Sequence, residues 1–134
     1  EDYIARLREA AIRVSLFIDP ERVQIAVAEA LGADVVEMHT GSYCDASDAA
    51  REGEIVRLAA AAGEAAGRGL QIHAGHGLSF GTVGPVAALP EVSELNIGHF
   101  LIGEAIFSGL ESAIRRMRAL MDTARAEASG RRSA

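Results

Sequence analysis

Four short apolar segments alternate with helical stretches along this chain, and that alternation constrains the fold more than any other feature. Arg13-Val14-Ser15-Leu16-Phe17-Ile18-Asp19, Val35-Val36-Glu37-Met38-His39, Leu70-Gln71-Ile72-His73-Ala74 and Glu94-Leu95-Asn96-Ile97 read as strands. The first of them reads as buried on both sides. Each is followed by a turn and a helical pattern, and a leading helix puts Ile4, Leu7 and Ala11 on one face. The order is therefore α(βα)4. Strands separated by helices must run parallel, joined by right-handed crossovers. Two fold classes satisfy this pattern: a small doubly wound sheet, or part of a (βα)8 barrel.

Local signals set the helix limits. Asp19-Pro20 reads as a cap followed by a first helical residue, with the helix ending at Gly32. The Ala-rich stretch from Ser47 to Arg68 carries a stripe of Ile55, Leu58, Ala59, Ala62 and Ala66, and Gly69 ends it. Short helices are expected near residues 83–89 and 100–107. Ser108 and Glu111 form a capping box for a last helix with Leu110, Ala113, Ile114, Met117, Leu120, Met121 and Ala124 on its apolar face. Residues 1–128 read as one unit without a linker, and the polar residues 129–134 as a disordered tail.

Charge and composition exclude several function classes. The 13 basic and 19 acidic residues give a net charge of −6, with no basic cluster of the kind that binds nucleic acid. No apolar run approaches the roughly 18–20 residues of a membrane span, and no signal peptide is recognisable. The single cysteine, Cys44, cannot form an internal disulfide and fits a reducing, cytoplasmic setting.

The placement of the histidines points to chemistry. His39, His73, His76 and His99 all fall at or just beyond the C-terminal ends of strands, as do Glu37 and Asp19. In parallel α/β folds that edge is where ligands bind. Glu37 and His39 are two residues apart on a strand, so they share a face. A carboxylate beside histidines has the makings of an acid–base site. His73 beside Ile72 reads more as packing, and Cys44 as an inert small side chain. Gly75-His76-Gly77 and Gly98-His99 follow the last two strands. Glycines there let backbone N–H groups approach a phosphate near a helix N-terminus. A metal site is not expected, because no close-spaced ligand motif such as His-Glu-x-x-His occurs.

With Val14-Ser15-Leu16-Phe17-Ile18-Asp19, Glu37-Met38-His39-Thr40-Gly41-Ser42-Tyr43, Ala74-Gly75-His76-Gly77-Leu78 and Glu94-Leu95-Asn96-Ile97-Gly98-His99 in order, the chain resembles the pyridoxine 5′-phosphate synthases of the deoxyxylulose-dependent vitamin B6 pathway. The resemblance implies a (βα)8 barrel of which this chain is the C-terminal half, strands 5 to 8. It implies condensation of 1-deoxy-D-xylulose 5-phosphate with 3-amino-2-oxopropyl phosphate, giving pyridoxine 5′-phosphate, inorganic phosphate and water without metal or organic cofactor. His76 then matches the family's proton donor and Glu37 its transition-state stabiliser. Gly77, Gly98 and His99 match positions that bind 3-amino-2-oxopropyl phosphate. Phe80 and Thr82 depart from the Tyr and Asn that members often carry, and His73 and Cys44 fall at variable positions. Other bases and basic substrate-binding residues of the family belong to its first half.

Two other functions also fit: a phosphate-binding half-barrel without catalysis, and another phosphosugar-processing barrel enzyme. The chain contains no lysine, so these residues cannot form a Schiff base as an aldolase would. Four parallel strands would leave two unpaired edges, which favour association, so a homo-oligomer is expected.

Overall fold

The computed structural model describes residues 2–132. Its elements are α1 (Asp2–Glu9), β1 (Ser15–Ile18), α2 (Arg22–Ala30), β2 (Val35–His39), α3 (Gly41–Asp45), α4 (Asp48–Gly67), β3 (Gln71–Gly75), α5 (Val83–Ala87), β4 (Val92–Asn96), α6 (His99–Ser108) and α7 (Leu110–Arg132). The four strands form one parallel sheet in the order β1-β2-β3-β4. A doubly wound sheet reverses its strand order at a switch point. This sheet has no reversal, which makes it compatible with half of a (βα)8 barrel.

Strand parity divides the sheet into two faces. Val36 and Met38 of β2, and Ile72 and Ala74 of β3, are almost fully buried with Ile25, Ala28, Leu58, Ala62 and Val86 from the helices. The other face aligns Phe17, Glu37 and His73 in one register row, continued by Glu94 on β4. A second row sets His39 beside Gly75 and Asn96. This face is polar. Arg13 donates to Gln71 Oε1 at 2.5 Å, and Gln71 donates to Ser93 Oγ at 3.0 Å.

Several local expectations are corrected. Strand β1 is not buried on both sides: Phe17 is 55% exposed, because β1 is an edge and no described element covers its polar-face side. Helix α2 begins at Arg22, not at Pro20. The Gln24 amide engages Asp19, accepting from its backbone N–H at 2.9 Å, so the Asp19 carboxylate does not cap the helix. The apolar stripe of α4 is rotated: Ala61 and Ala65 are buried with Leu58 and Ala62, whereas Ala66 is exposed. The expected Ser108–Glu111 capping box does not form. Ser108 Oγ donates back to Glu104 O at 3.1 Å and Glu111 pairs with Arg115, while Gly109 turns the chain at φ 81°. Only glycine takes that left-handed conformation freely. In α7 the buried positions are Ala113 and Met117, and Leu110 and Ile114 stay about half exposed. Helix α7 runs to Arg132, and residues 133–134 of the expected tail lie outside the described residues.

Candidate functional site

The carboxyl ends of the strands surround an open cleft of about 700 Å³. Phe17, Glu37, His76, Gly77, Leu78, Asn96, Ile97, Gly98, His99 and Phe100 line it. Asp19, His39 and His73 do not line it, whereas the five residues that the family resemblance assigned to the site, Glu37, His76, Gly77, Gly98 and His99, meet there. They come from β2, from the turn after β3 and from the turn after β4. Parallel strands place all their C-terminal ends at one edge, so residues far apart in the chain become neighbours.

Glu37 is held by its cross-strand surroundings. Asn96 Nδ2 donates to Glu37 Oε2 at 2.8 Å. Gly75 lies between them in the sheet. A Cβ built on Gly75 would stand 2.5 Å from Glu37 Oε1 and 2.8 Å from the Asn96 carbonyl oxygen. The absent side chain is what lets the carboxylate lie over β3 toward Asn96. Asn96 was not singled out from sequence, although it stands at a strand end inside a quoted motif. Its partner is 59 residues away, and no local pattern reports such a pair.

His76 sits in a constrained turn. It and Gly77 take φ values of 79° and 81° in succession. A non-glycine residue there carries local strain and persists only where neighbours hold it. Thr40 is fully buried, and its hydroxyl lies 2.8 Å from Gly75 O and 2.5 Å from His76 O. Its backbone N–H also donates to Gly75 O at 2.8 Å. The His76 ring stacks on His39, with centroids 4.4 Å apart and planes tilted 27°.

At the last turn, Gly98 is the N-cap of α6 and, among the described residues, no side chain caps that end. The first-turn N–H groups of a helix have no acceptor within it, and the helix dipole favours an anion there. His99 is exposed beside it. The Gly77 turn differs from expectation: five residues, 78–82, separate it from the short helix α5, so it does not feed a helix directly. Thr82 Oγ1 instead accepts from Ser79 N–H at 2.9 Å, and Phe80 meets Phe100 edge-on at 4.8 Å with Arg116 over its ring. Phe80 and Thr82 thus anchor this loop to the wall of the cleft.

His73 is buried and does not line the cleft, in keeping with its reading as a packing residue. It packs on the same side as Glu37, its Nδ1 lies 3.3 Å from Glu94 Oε1, and its buried Nε2 has no partner among the described residues. Among the described residues, no group of three His, Cys, Asp or Glu side chains converges in a way that could hold a metal ion.

Cys44 lies behind the site, with its Sγ 3.8 Å from His76 O and 3.9 Å from Thr40 Oγ1 and Thr82 Oγ1. Burial pushes its thiol pKa up, and the hydrogen bonds with Thr82 and Thr40 offset that only in part. A raised pKa leaves less thiolate at pH 7, and the thiolate is the nucleophile. Iodoacetamide is expected to alkylate Cys44 more slowly than glutathione at pH 7, with the rate rising as the pH passes 9. Mass spectrometry of timed samples measures this, and faster labelling than glutathione at pH 7 refutes it.

No described helix is long and apolar enough to cross a membrane. Comparison with known proteins then places the chain. The family model described as pyridoxal phosphate biosynthesis protein PdxJ matches residues 1–123. A pyridoxine 5′-phosphate synthase of Jannaschia sp. (strain CCS1) is 59% identical over 127 residues, covering 92% of this chain and 51% of the relative. One from Rhodospirillum rubrum is 62% identical over 122 residues, covering 90% and 49%. One from Caulobacter vibrioides (strain ATCC 19089 / CIP 103742 / CB 15) is 57% identical over 130 residues, covering 94% and 51%. The chain thus spans about half the length of these curated relatives. A match along nearly the whole chain, on a sheet whose strand ends gather Glu37, His76 and Gly98 into one cleft, shows that the chain belongs to the pyridoxal phosphate biosynthesis protein PdxJ family.

Proposed function

We propose that this chain supplies part of the active site of a pyridoxine 5′-phosphate synthase, as strands 5 to 8 of a (βα)8 barrel. The reaction joins 1-deoxy-D-xylulose 5-phosphate to 3-amino-2-oxopropyl phosphate and releases pyridoxine 5′-phosphate, inorganic phosphate and water, without metal or organic cofactor. The observation that carries this reading is the convergence of Glu37, His76, Gly77, Gly98 and His99 on one cleft.

Each group suits a step. Imine formation, loss of phosphate and water, and ring closure all move protons on and off carbon and oxygen. His76, exposed at the cleft, donates a proton to a leaving oxygen, a role that suits an imidazole near neutral pH. Glu37 steadies positive charge on imine intermediates. Asn96 occupies one of its oxygens and so restricts how the carboxylate turns. The uncapped N-terminus of α6, with Gly98 and His99, takes the phosphate of 3-amino-2-oxopropyl phosphate through backbone N–H groups. Gly77 takes the φ of 81° that the turn requires and lines the same cleft. Homo-oligomer formation belongs to the same proposal. Ile102, Ile106 and Phe107 of α6 are 61%, 78% and 89% exposed, a large apolar surface for a solvent-facing helix.

The test supplies the full-length protein with both phosphorylated substrates and follows pyridoxine 5′-phosphate by fluorescence and mass. The expected result is product and inorganic phosphate in equal amounts, unaffected by a chelator. Absence of product from a folded protein, or complete loss of product on chelation, overturns the proposal.

A further inference from the structure

We propose that His39 is a positioning residue for His76: its imidazole is a fixed ring platform, and the segment His39-Thr40-Gly41 holds both the ring and the backbone of residue 76. The proposal rests on the reading of His76 as the proton donor. His39 itself does not line the cleft, so it acts through its neighbour.

The platform is locked from below. His39 Nδ1 accepts a hydrogen bond from the Gly41 N–H at 3.2 Å, so that nitrogen presents its lone pair and the proton of the neutral ring is on Nε2. The ring folds back over its own backbone to reach that donor. A Cβ on Gly41 would lie 2.4 Å from Cε1 and 3.0 Å from Nδ1 of the ring, so only glycine leaves room for it. Phe17 flanks the pair, with its centroid 5.2 Å from His39 and 6.3 Å from His76. The His39 ring is therefore fixed on one side by a backbone donor and on another by an aromatic ring.

His76 needs such a support. It is an exposed residue on a turn, where a side chain ordinarily samples several rotamers. Stacking at 4.4 Å on a fixed ring restricts that freedom. Thr40, between His39 and Gly41, does the same for the backbone, with its hydroxyl 2.5 Å from His76 O. Three consecutive residues of one strand end thus hold the side chain and the carbonyl of one residue on the next. Orientation of a proton donor has a large effect on rate, since misplacement by about 1 Å costs up to about 100-fold.

The experiment compares His39→Leu and His39→Phe with the unmodified full-length protein. Leucine has similar bulk but no ring, and phenylalanine restores a ring without nitrogens. His39→Leu is expected to lower kcat by about 10–100-fold with KM for both substrates changed less than about threefold. His39→Phe is expected to recover most of the loss. In proton NMR the His76 Hε1 resonance, assigned by its disappearance in His76→Asn, is expected to lose its ring-current shift in His39→Leu and keep one in His39→Phe. Thermal melts gate each variant, and His39→Ala replaces the leucine variant if that one does not fold. An unchanged kcat in a folded His39→Leu protein, an unmoved His76 resonance, or a phenylalanine variant as slow as the leucine one overturns the proposal. If the unmodified protein makes no pyridoxine 5′-phosphate, the functional reading fails instead, and the resonance alone still decides whether His39 holds His76.

Discussion

Replacing His76 with asparagine in the full-length protein is expected to lower kcat by about 10²–10⁴-fold, the range that a positioned general acid contributes. The substitution is chosen for its backbone. Residue 76 has a φ of 79°, and asparagine tolerates the left-handed region better than most non-glycine residues. The turn can therefore keep its shape, and Thr40 can keep its contact with the carbonyl of residue 76. What is lost is the imidazole that lines the cleft and rests on His39. A carboxamide can donate a hydrogen bond but cannot deliver a proton. Steady-state turnover, with circular dichroism and a thermal melt to show folding, measures the effect. Near-normal turnover in a folded variant removes His76 from the role of proton donor.

Adding one methyl group at Gly75 is the second large effect expected. In Gly75→Ala the new Cβ meets Glu37 Oε1 at 2.5 Å and the Asn96 carbonyl oxygen at 2.8 Å. The carboxylate can swing away. The carbonyl cannot, because it belongs to the neighbouring strand β4, paired with β3 through Gly75 and Asn96. Overpacking of this kind costs about 1–3 kcal/mol. The carboxylate that swings away leaves its bond to Asn96, so activity falls beyond what stability alone explains. Gly63→Ala is the control. Gly63 lies in α4 with nothing within 4 Å of its would-be Cβ, and alanine there is expected to stabilise by about 0.4–1 kcal/mol. Urea unfolding reads both variants. Equal stability of Gly75→Ala and the parent protein would mean that the two strands separate freely at this point.

Much of the fold was legible because two periodicities are hard to confuse. The run Val35–His39 forms the strand expected, and the long Ala-rich stretch forms the helix expected. Parity also placed Glu37 and His39 on one face, as the sheet register shows. The errors arose where a residue had two local partners to choose from. Asp19 carries a good capping side chain, but the Gln24 amide occupies it. Ser108 could cap the following helix or bond back to Glu104, and it does the latter. The five-residue helix α3 gave no periodic signal, since a single turn has too few positions to show one. Burial of β1 was overestimated because an apolar strand reads alike in the middle of a sheet and at its edge.

The candidate site divides in the same manner. Residue types at strand ends drew attention to the four histidines, Glu37, Asp19 and the two glycine turns, and the family resemblance narrowed these to Glu37, His76, Gly77, Gly98 and His99. Nothing in the chain alone pointed to Asn96 as the partner of Glu37, to Thr40 as the clamp on His76, or to the stack of His39 on His76. By itself the sequence determined the alternation of strands and helices and their parallel direction, since each of these follows from local periodicity and chain connectivity. Only the tertiary structure decided that the sheet order runs without reversal, that β1 is open on one face, and which side chains hold Glu37 and His76 in place. Those are contacts between residues distant in sequence, and they depend on register and ring orientation at a scale of a few ångströms that no local pattern encodes.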